Sequence, residues 1–228
     1  MTLLPSEKGL PALELGSLKA ATIEFVRGLS GKALPDLFGV TDGKAVGTYV
    51  EAGLHKHVAS RYTYATGNAA TGIDFPGLAV DLKVTSIRQP QSSSPFRDAS
   101  QKVYGLGYHL LLLVYEKLDD REKQTAALNF RYGVFIPQER TADFQTTNGI
   151  VGLLDRGGNV DDIDAFLEER NLPLDEIGRR QLAEKIMLER PQIGYLTVSN
   201  ALQWRLQYGR VVQLIDTGRA EGLEDLLR

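Results

Sequence analysis

Apolar residues at helical spacing predict two helices in the first sixty residues. The first covers about residues 17–30, with Ser17 as its cap and Gly31 as its end, and the second covers about residues 44–60. The buried positions expected on these helices are Leu18, Ala21, Val26 and Leu29, followed by Val46, Val50 and Leu54. Glu51 directly follows one of these buried positions, so we expect it at the boundary between the core and a cleft.

Three later runs have the pattern of strands, over residues 78–87, 109–116 and 129–136. The second run is continuously apolar, which is typical of a strand buried on both faces. In the first run the side chains alternate between faces, so Asp81 and Lys83 share one face. The apolar residues predicted on the opposite face are Val80, Leu82 and Val84.

Other segments of the first half carry different signals. Residues 1–16 contain two prolines without periodicity and are interpreted as an extended arm. Residues 88–95 are rich in Gln and Ser and contain two prolines, which favours a polar loop. A helix is then predicted over residues 96–104, ended by Gly105 or Gly107.

The composition changes after Asp143. Residues 145–158 are rich in glycine and predict a loop, and the remainder is predicted to be helical. The expected helix caps are Asp161 or Asp162, then Asp175, then Thr197 or Ser199, with the last helix running through Gln213 to Gly218. The domain prediction is therefore a core over residues 1–154 and a helical C-terminal subdomain over residues 155–228.

The composition is that of an ordinary globular chain of 228 residues with a net charge of −3. No apolar run approaches the length of a membrane helix, and the N-terminus lacks the pattern of an export signal. There is no cysteine, which excludes disulfides and thiolate metal sites and fits a cytoplasmic protein. A P-loop, a G-x-S-x-G motif and a G-x-G-x-x-G motif are all missing from the sequence, so nucleotide-binding and serine-hydrolase classes lack support.

The stretch G-I-D-F-P-G-L-A-V-D-L-K, residues 72–83, places two aspartates around a tight bend. Pro76 and Gly77 favour a type II turn, in which the glycine takes a positive φ. Such a hairpin would bring Asp74 beside Asp81 and Lys83. Two carboxylates and an ammonium placed together would make a site for a hard divalent cation and an activated water, and without the metal one carboxyl pKa should rise. The alternative is a solvated charge pair beside a buried apolar face.

These residues resemble the PD-(D/E)xK motif of the nuclease superfamily that includes type II restriction endonucleases. Asp74, Asp81 and Lys83 match the motif, and Ile73 stands where the family carries its proline. The resemblance implies an α/β fold with a restriction-endonuclease-like core, a mixed central sheet flanked by helices. It also implies a Mg²⁺-dependent, sequence-specific endonuclease that cuts double-stranded DNA to 5′-phosphate and 3′-hydroxyl ends and acts as a homodimer.

The predicted order of elements over residues 44–116 extends the resemblance, because it matches the family's helix, three-strand meander, helix and central strand. Within it, Glu51 matches the glutamate often carried by the first helix, where it would be a further catalytic carboxylate. Gln101 resembles the glutamine or lysine on the helix after the motif. The alternative for Glu51 is an exposed helix residue.

Basic residues are concentrated between Leu82 and Gly105, where four lysines and arginines meet one aspartate. A polar segment directly after a metal-binding strand favours contacts with phosphates and base edges. The predicted DNA contacts are Arg88, Gln89, Gln91, Ser93, Arg97, Gln101 and Lys102. A solvated surface loop is the alternative.

Three further interpretations remain open. Residues 203–210 could form the second helix of a helix-turn-helix, or an ordinary packed helix in which Trp204 anchors the core. His55 and His57 stand two residues apart, so they do not share a helix face and are poorly spaced for zinc. In function, a structure-specific repair or recombination nuclease, such as a junction resolvase, and a non-catalytic DNA-binding regulator are the alternatives to a restriction enzyme.

Overall fold

A computed structural model describes residues 9–67, 72–95, 97–199, 203–219 and 221–228 as a mixed α/β protein. Its helices are α1 (Leu15–Leu29), α2 (Gly43–Ala59), α3 (Gln101–Tyr104), α4 (Phe144–Asp155), α5 (Val160–Glu169), α6 (Glu176–Leu188) and α7 (Gly209–Thr217). Its strands are β1 (Val80–Ser86), β2 (Gln91–Pro95), β3 (His109–Asp120), β4 (Thr125–Ile136), β5 (Thr197–Val198), β6 (Gln203–Gln207) and β7 (Glu224–Asp225).

The chain divides into two compact units. The first contains the described residues of Met1–Pro90, His109–Ile136 and Glu224–Arg228, and the second contains those of Gln91–Tyr108 and Pro137–Leu223. The boundary predicted between residues 154 and 155 falls inside the second unit. Among the helices described, none has the length and apolar character needed to cross a membrane.

The sheet of the first unit has the order β1-β3-β4-β7, with β1 at one edge. β1 pairs with β3 in parallel, and β3, β4 and β7 pair in antiparallel fashion, so the predicted mixed sheet is confirmed. The predicted three-strand meander is wrong. Before β1 the described residues pair with it through one isolated bridge, between Phe75 and Val80. The predicted hairpin is thus reduced to one tight bend.

Both N-terminal helices contribute to one apolar core with this sheet. The predicted buried residues of α2 are confirmed, and Val58 extends their stripe by one turn. α2 is capped by Asp42, whose side chain accepts a hydrogen bond from the Lys44 amide at 2.9 Å. α1 begins two residues before the predicted Ser17, after Glu14, so Ser17 is not its cap. Val80 and Leu82 of β1 complete the core from the sheet.

The bend before β1 is a single 3-10 turn, Pro76–Leu78, and not the predicted type II turn. The left-handed residue is Ala79, with φ 50°, and Gly77 does not have a positive φ. The backbone still folds back on itself, because Phe75 and Val80 exchange hydrogen bonds of 2.9 and 3.2 Å. The bend therefore places Asp74 next to β1 by a different route from the one expected.

The second unit contains a sheet of order β2-β6-β5, antiparallel throughout. Two predictions are wrong here. The loop predicted over 88–95 contains β2, and the helix predicted from Thr197 or Ser199 to Gln213 is replaced by β5, β6 and the shorter α7. A helix-turn-helix over 203–210 is therefore excluded. Trp204 is fully buried, as expected of a core anchor, but on a strand.

The helices of the second unit also differ in part from the prediction. The expected loop over 145–158 is mostly α4, whose N-terminus is capped by Asp143. α5 is capped by Asn159 in a reciprocal capping box with Asp162, whereas Asp175 caps α6 as predicted. α3 covers only the end of the helix predicted over 96–104, whose first residue lies outside the described residues. It ends at Gly105, with φ 87°, as expected.

Candidate active site

A cleft of about 490 Å³ opens in the first unit beside the edge strand β1. One wall comes from α2, another from β1, and a third from the segments on either side of residues 68–71. The lining residues are Glu51, His55, Thr66, Gly67, Gly72, Ile73, Asp74, Asp81, Leu82 and Lys83. All four predicted catalytic residues therefore border one cleft.

Asp74 is held in place by the strand that follows it. Its Oδ2 accepts a hydrogen bond of 2.7 Å from the backbone amide of Leu82, which fixes the carboxylate against β1. Gly67 also holds the backbone of Asp74 in place, because its amide donates a 3.2 Å hydrogen bond to the Asp74 carbonyl. A Cβ at Gly67 would lie 2.0 Å from the carbonyl oxygen of Ile73, so this close approach requires glycine.

Asp81 and Lys83 lie on the same face of β1 and form an ion pair. The Lys83 Nζ lies 2.8 Å from Asp81 Oδ2. Asp81 is almost fully buried, and Lys83 is more accessible, with 18% of its side chain exposed. The ammonium of Lys83 therefore lies beside the buried carboxylate of Asp81 and is partly accessible from the cleft.

The pKa values of the three carboxyl groups of the cleft are shifted in different directions. Burial raises the pKa of Asp81 to about 7, and the proximity of Asp74 adds to this effect while Lys83 opposes it. Burial also raises the pKa of Glu51, and the charge of Asp74 contributes. Burial works against ionisation of Asp74, but hydrogen bonds with His55, Asp81 and the Leu82 amide hold its pKa below the ordinary value. The expected rise of one aspartate pKa is seen, with burial as its largest cause.

His55 is a member of this cluster that sequence reasoning missed. A nitrogen of His55, a carboxylate oxygen of Glu51 and one of Asp74 all lie within 4.8 Å of one another. The sequence signal for this cluster is the spacing of Glu51 and His55, which stand four residues apart and so share one helix face. In the sequence, the spacing of His55 was compared only with His57, and its place in the cluster was therefore not predicted.

A tyrosine orients the His55 ring. The Tyr64 hydroxyl contacts Nδ1 of the ring at 2.9 Å and donates to the backbone carbonyl of His55 at 3.3 Å. The other ring nitrogen, Nε2, lies 3.9 Å from Asp74 Oδ1. Phe75 stacks on the imidazole, with ring centroids 4.8 Å apart. Burial and the charge of Asp74 raise the pKa of Tyr64, so its hydroxyl keeps its proton near neutral pH.

The chemistry of this donor set fits a divalent cation. Carboxylate oxygens are the ligands that Mg²⁺ and Mn²⁺ prefer, and an imidazole nitrogen suits later metals such as iron, nickel and zinc. A bound cation would replace the proton that the raised pKa of Asp81 retains near neutral pH. The arrangement can therefore hold a cation next to the Lys83 ammonium.

The predicted DNA-contact residues have two different kinds of environment. Arg88 and Gln89, in the first unit, and Ser93 and Arg97, in the second, are exposed, and Gln91 is half-buried. Two residues of the same prediction, Gln101 and Lys102, belong to α3 in the second unit.

The two residues of α3 differ in their exposure, since Gln101 is half-buried and Lys102 is buried. Gln101 donates a 2.8 Å hydrogen bond to the Leu106 carbonyl. Lys102 is buried, and burial lowers its pKa although the charge of Asp143 opposes the shift. Lys102 is therefore enclosed within the second unit, and the DNA contact of Gln101 stays a prediction.

Comparison with known proteins gives two matches that agree. The family model described as type II restriction enzyme NspV matches residues 12–225. A curated relative, the type II restriction enzyme NspV of Nostoc sp. (strain ATCC 29411 / PCC 7524), is 53% identical over 194 residues, which cover 85% of this chain and 87% of the relative. No solved structure matches the chain.

Proposed function

The chain belongs to the family of the type II restriction enzyme NspV, and from that premise we propose a Mg²⁺-dependent phosphodiester hydrolysis in the cleft beside β1. As a member of that family the protein is a site-specific deoxyribonuclease. The observation that carries the chemical proposal is the convergence of three carboxylates, one imidazole and one ammonium on one cleft.

Asp74 and Asp81 are the proposed metal ligands, with Glu51 as a further carboxylate. His55 joins this set through Nε2, the ring nitrogen on the side of Asp74, while Nδ1 contacts the Tyr64 hydroxyl. When bound, Mg²⁺ lowers the pKa of a coordinated water and offsets negative charge on the phosphate. A partner that fixes the ring orientation of a histidine ligand, as Tyr64 does for His55, raises metal affinity.

Lys83 has two proposed roles. Its ammonium orients the attacking water, and it offsets the charge that develops on the non-bridging phosphate oxygens. The water oxygen forms a bond to phosphorus while the bond between phosphorus and the 3′-oxygen breaks. The attacking water gives up one proton to the solvent and the departing 3′-oxygen takes one from the solvent, so the products are a 5′-phosphate and a 3′-hydroxyl.

Two further parts of the proposal follow from the family. A homodimer would match a palindromic DNA site, because the two-fold axes of protein and DNA then coincide. A cytoplasmic location is the second part, because the cytoplasm is where a restriction enzyme meets foreign DNA. Family membership favours this function over a junction resolvase and over a non-catalytic regulator.

Digestion of a long duplex in the presence and absence of Mg²⁺ tests the proposal. The wild-type protein should give discrete fragments only with the metal. Asp81→Ala should cut at least about 1,000-fold more slowly, because it removes a ligand and the partner of Lys83. Asp81→Asn tests the same loss with the side-chain shape retained.

Glu122→Ala is the matched control, because it removes an exposed carboxylate between β3 and β4, outside the cleft lining. It should cut at the wild-type rate. Cleavage by Asp81→Ala at that rate would remove the cleft from the mechanism. A smear of products, or cutting of branched DNA alone, would point to structure-specific recognition instead.

A further inference from the structure

The sheet of the second unit has one buried face and one polar, accessible face. On the buried face, Trp204 and Leu206 of β6 and Val198 of β5 are almost fully inaccessible. Residues directly opposite in this register share a face, and the register pairs Gln91 with Gln207 and Ser93 with Arg205. The reading face, as we name it, consists of Gln91, Ser93, Arg205 and Gln207.

The polar residues of β2 that point inward are already satisfied. Ser92 Oγ contacts the Tyr208 hydroxyl at 2.6 Å, and Ser94 Oγ contacts the Tyr108 hydroxyl at 3.3 Å. The packing of the sheet therefore depends on the inward residues. Ser93, Arg205 and Gln207 of the reading face are exposed, so the core does not explain their side chains.

The charge of this sheet suits a polyanion. β2, β5 and β6 contain no aspartate or glutamate, in a chain whose net charge is −3. Arg205, on the central strand of the sheet, supplies the reading face with a cation. Its neighbours are amides and a hydroxyl, which donate and accept hydrogen bonds without adding charge.

We propose that the reading face lies in the major groove of double-stranded DNA and recognises base edges there. The inference rests on the proposed function, since it names the surface that gives the enzyme its sequence preference. A two-stranded β-ribbon fits the major groove. Arg205 would pair with N7 and O6 of a guanine, and the glutamines with N6 and N7 of adenine.

The spacing of the strands supports this assignment. Arg205 and Gln207 are two residues apart on one strand, which separates their Cα atoms by roughly 6.8 Å. Base pairs are stacked about 3.4 Å apart, so the two side chains are spaced for base pairs two steps apart. Ser93 and Gln91 directly oppose them on β2 and extend the same row across the ribbon.

The test compares cleavage of the cognate duplex with cleavage of each single-base-pair variant, for wild type, Arg205→Ala and Arg205→Lys. Arg205→Ala should cut the cognate duplex about tenfold more slowly or worse and should lose discrimination at one base pair. Arg205→Lys keeps the charge and loses the planar fork, so it should lose the same discrimination. Replacing the contacted guanine by 7-deazaguanine should slow the wild type and leave Arg205→Ala unaffected.

Arg219→Ala is the control, because Arg219 is an exposed arginine of the same unit that follows α7, outside the sheet. It should keep both the rate and the discrimination. Equal slowing of all duplexes by Arg205→Ala, with a weaker dependence on salt, would mean a phosphate contact and overturn the proposal. Unchanged discrimination would overturn it as well. In both cases the proposed function would still stand if the wild type cuts DNA into discrete fragments in the presence of Mg²⁺. Failure of the wild type to do so would count against the proposed function.

Discussion

β1 and β2 follow one another along the chain, and both place polar side chains on a strand face, but these side chains have different partners. On β2, the inward hydroxyls of Ser92 and Ser94 meet tyrosine hydroxyls. On β1, the buried Asp81 meets the ammonium of Lys83 and the carboxylate of Asp74. Two neutral hydroxyls can hydrogen-bond to each other. Two neighbouring carboxylates instead repel each other until one of them binds a proton or both bind a cation.

The difference separates a structural use of polar residues from a chemical one. A hydroxyl pair contributes a modest amount to stability and binds nothing further. A buried carboxylate whose pKa is displaced, in a cleft with other charged groups, is a candidate for function. The contrast between the two strands is open to direct measurement.

The largest effect should come from pH. Asp81 binds metal as a carboxylate, and its pKa of about 7 means that protons compete with the metal below that value. Cleavage at limiting Mg²⁺ should therefore fall about tenfold per pH unit below pH 7, and roughly 100-fold by pH 5. A pH profile that stays flat between pH 5 and pH 7 would contradict this expectation.

The same shift has a consequence for the stability of the metal-free protein. The pKa of Asp81 is higher in the folded state than the ordinary value of 3.8, so the folded state binds the additional proton. Its contribution to stability is complete below about pH 4 and is lost as the pH rises through 7. Asp81→Asn should therefore melt above the wild type, with a difference that grows from pH 4 to pH 7.

An intermediate effect should come from Tyr64→Phe. The change removes the hydroxyl that contacts Nδ1 of His55 and orients its ring, and loss of such a partner lowers metal affinity by about 10- to 100-fold. Titration of the protein with Mn²⁺ measures this affinity directly. Tyr62→Phe, at another tyrosine of the same unit, serves as the control. Equal affinities for both variants would show that His55 does not depend on Tyr64.

The smallest effect should come from Ser92→Ala on β2. Loss of the 2.6 Å contact with Tyr208 should lower the free energy of unfolding by about 1 kcal/mol, without changing metal affinity. Ser94→Ala removes a longer contact, 3.3 Å, and should cost less. Chemical denaturation of both variants gives the two values. A loss of metal binding in Ser92→Ala would erase the distinction between the two strands.

The residues whose environment is set by their near neighbours could be predicted from sequence. Val46, Val50 and Leu54 recur at helical spacing, so α2 and its buried face followed directly. Asp81 and Lys83 alternate with apolar residues, so a strand presenting both on one face followed as well. Glu51 could be placed beside the cleft because it is next to a buried position on the same helix.

Only the tertiary structure decided the rest, because those outcomes depend on partners distant in the sequence. Residues 91–95 form a strand because β6 pairs with them, and Tyr208, 116 residues away from Ser92, supplies a hydroxyl partner for their inward face. Residues 203–207 became a strand because β2 and β5 pair with them. His55 gained its place in the site from Asp74 and Tyr64, which reach it through folding of the chain. Local periodicity determines which face of an element is apolar, whereas hydrogen-bond partners from elsewhere determine whether a polar stretch becomes a strand or a site.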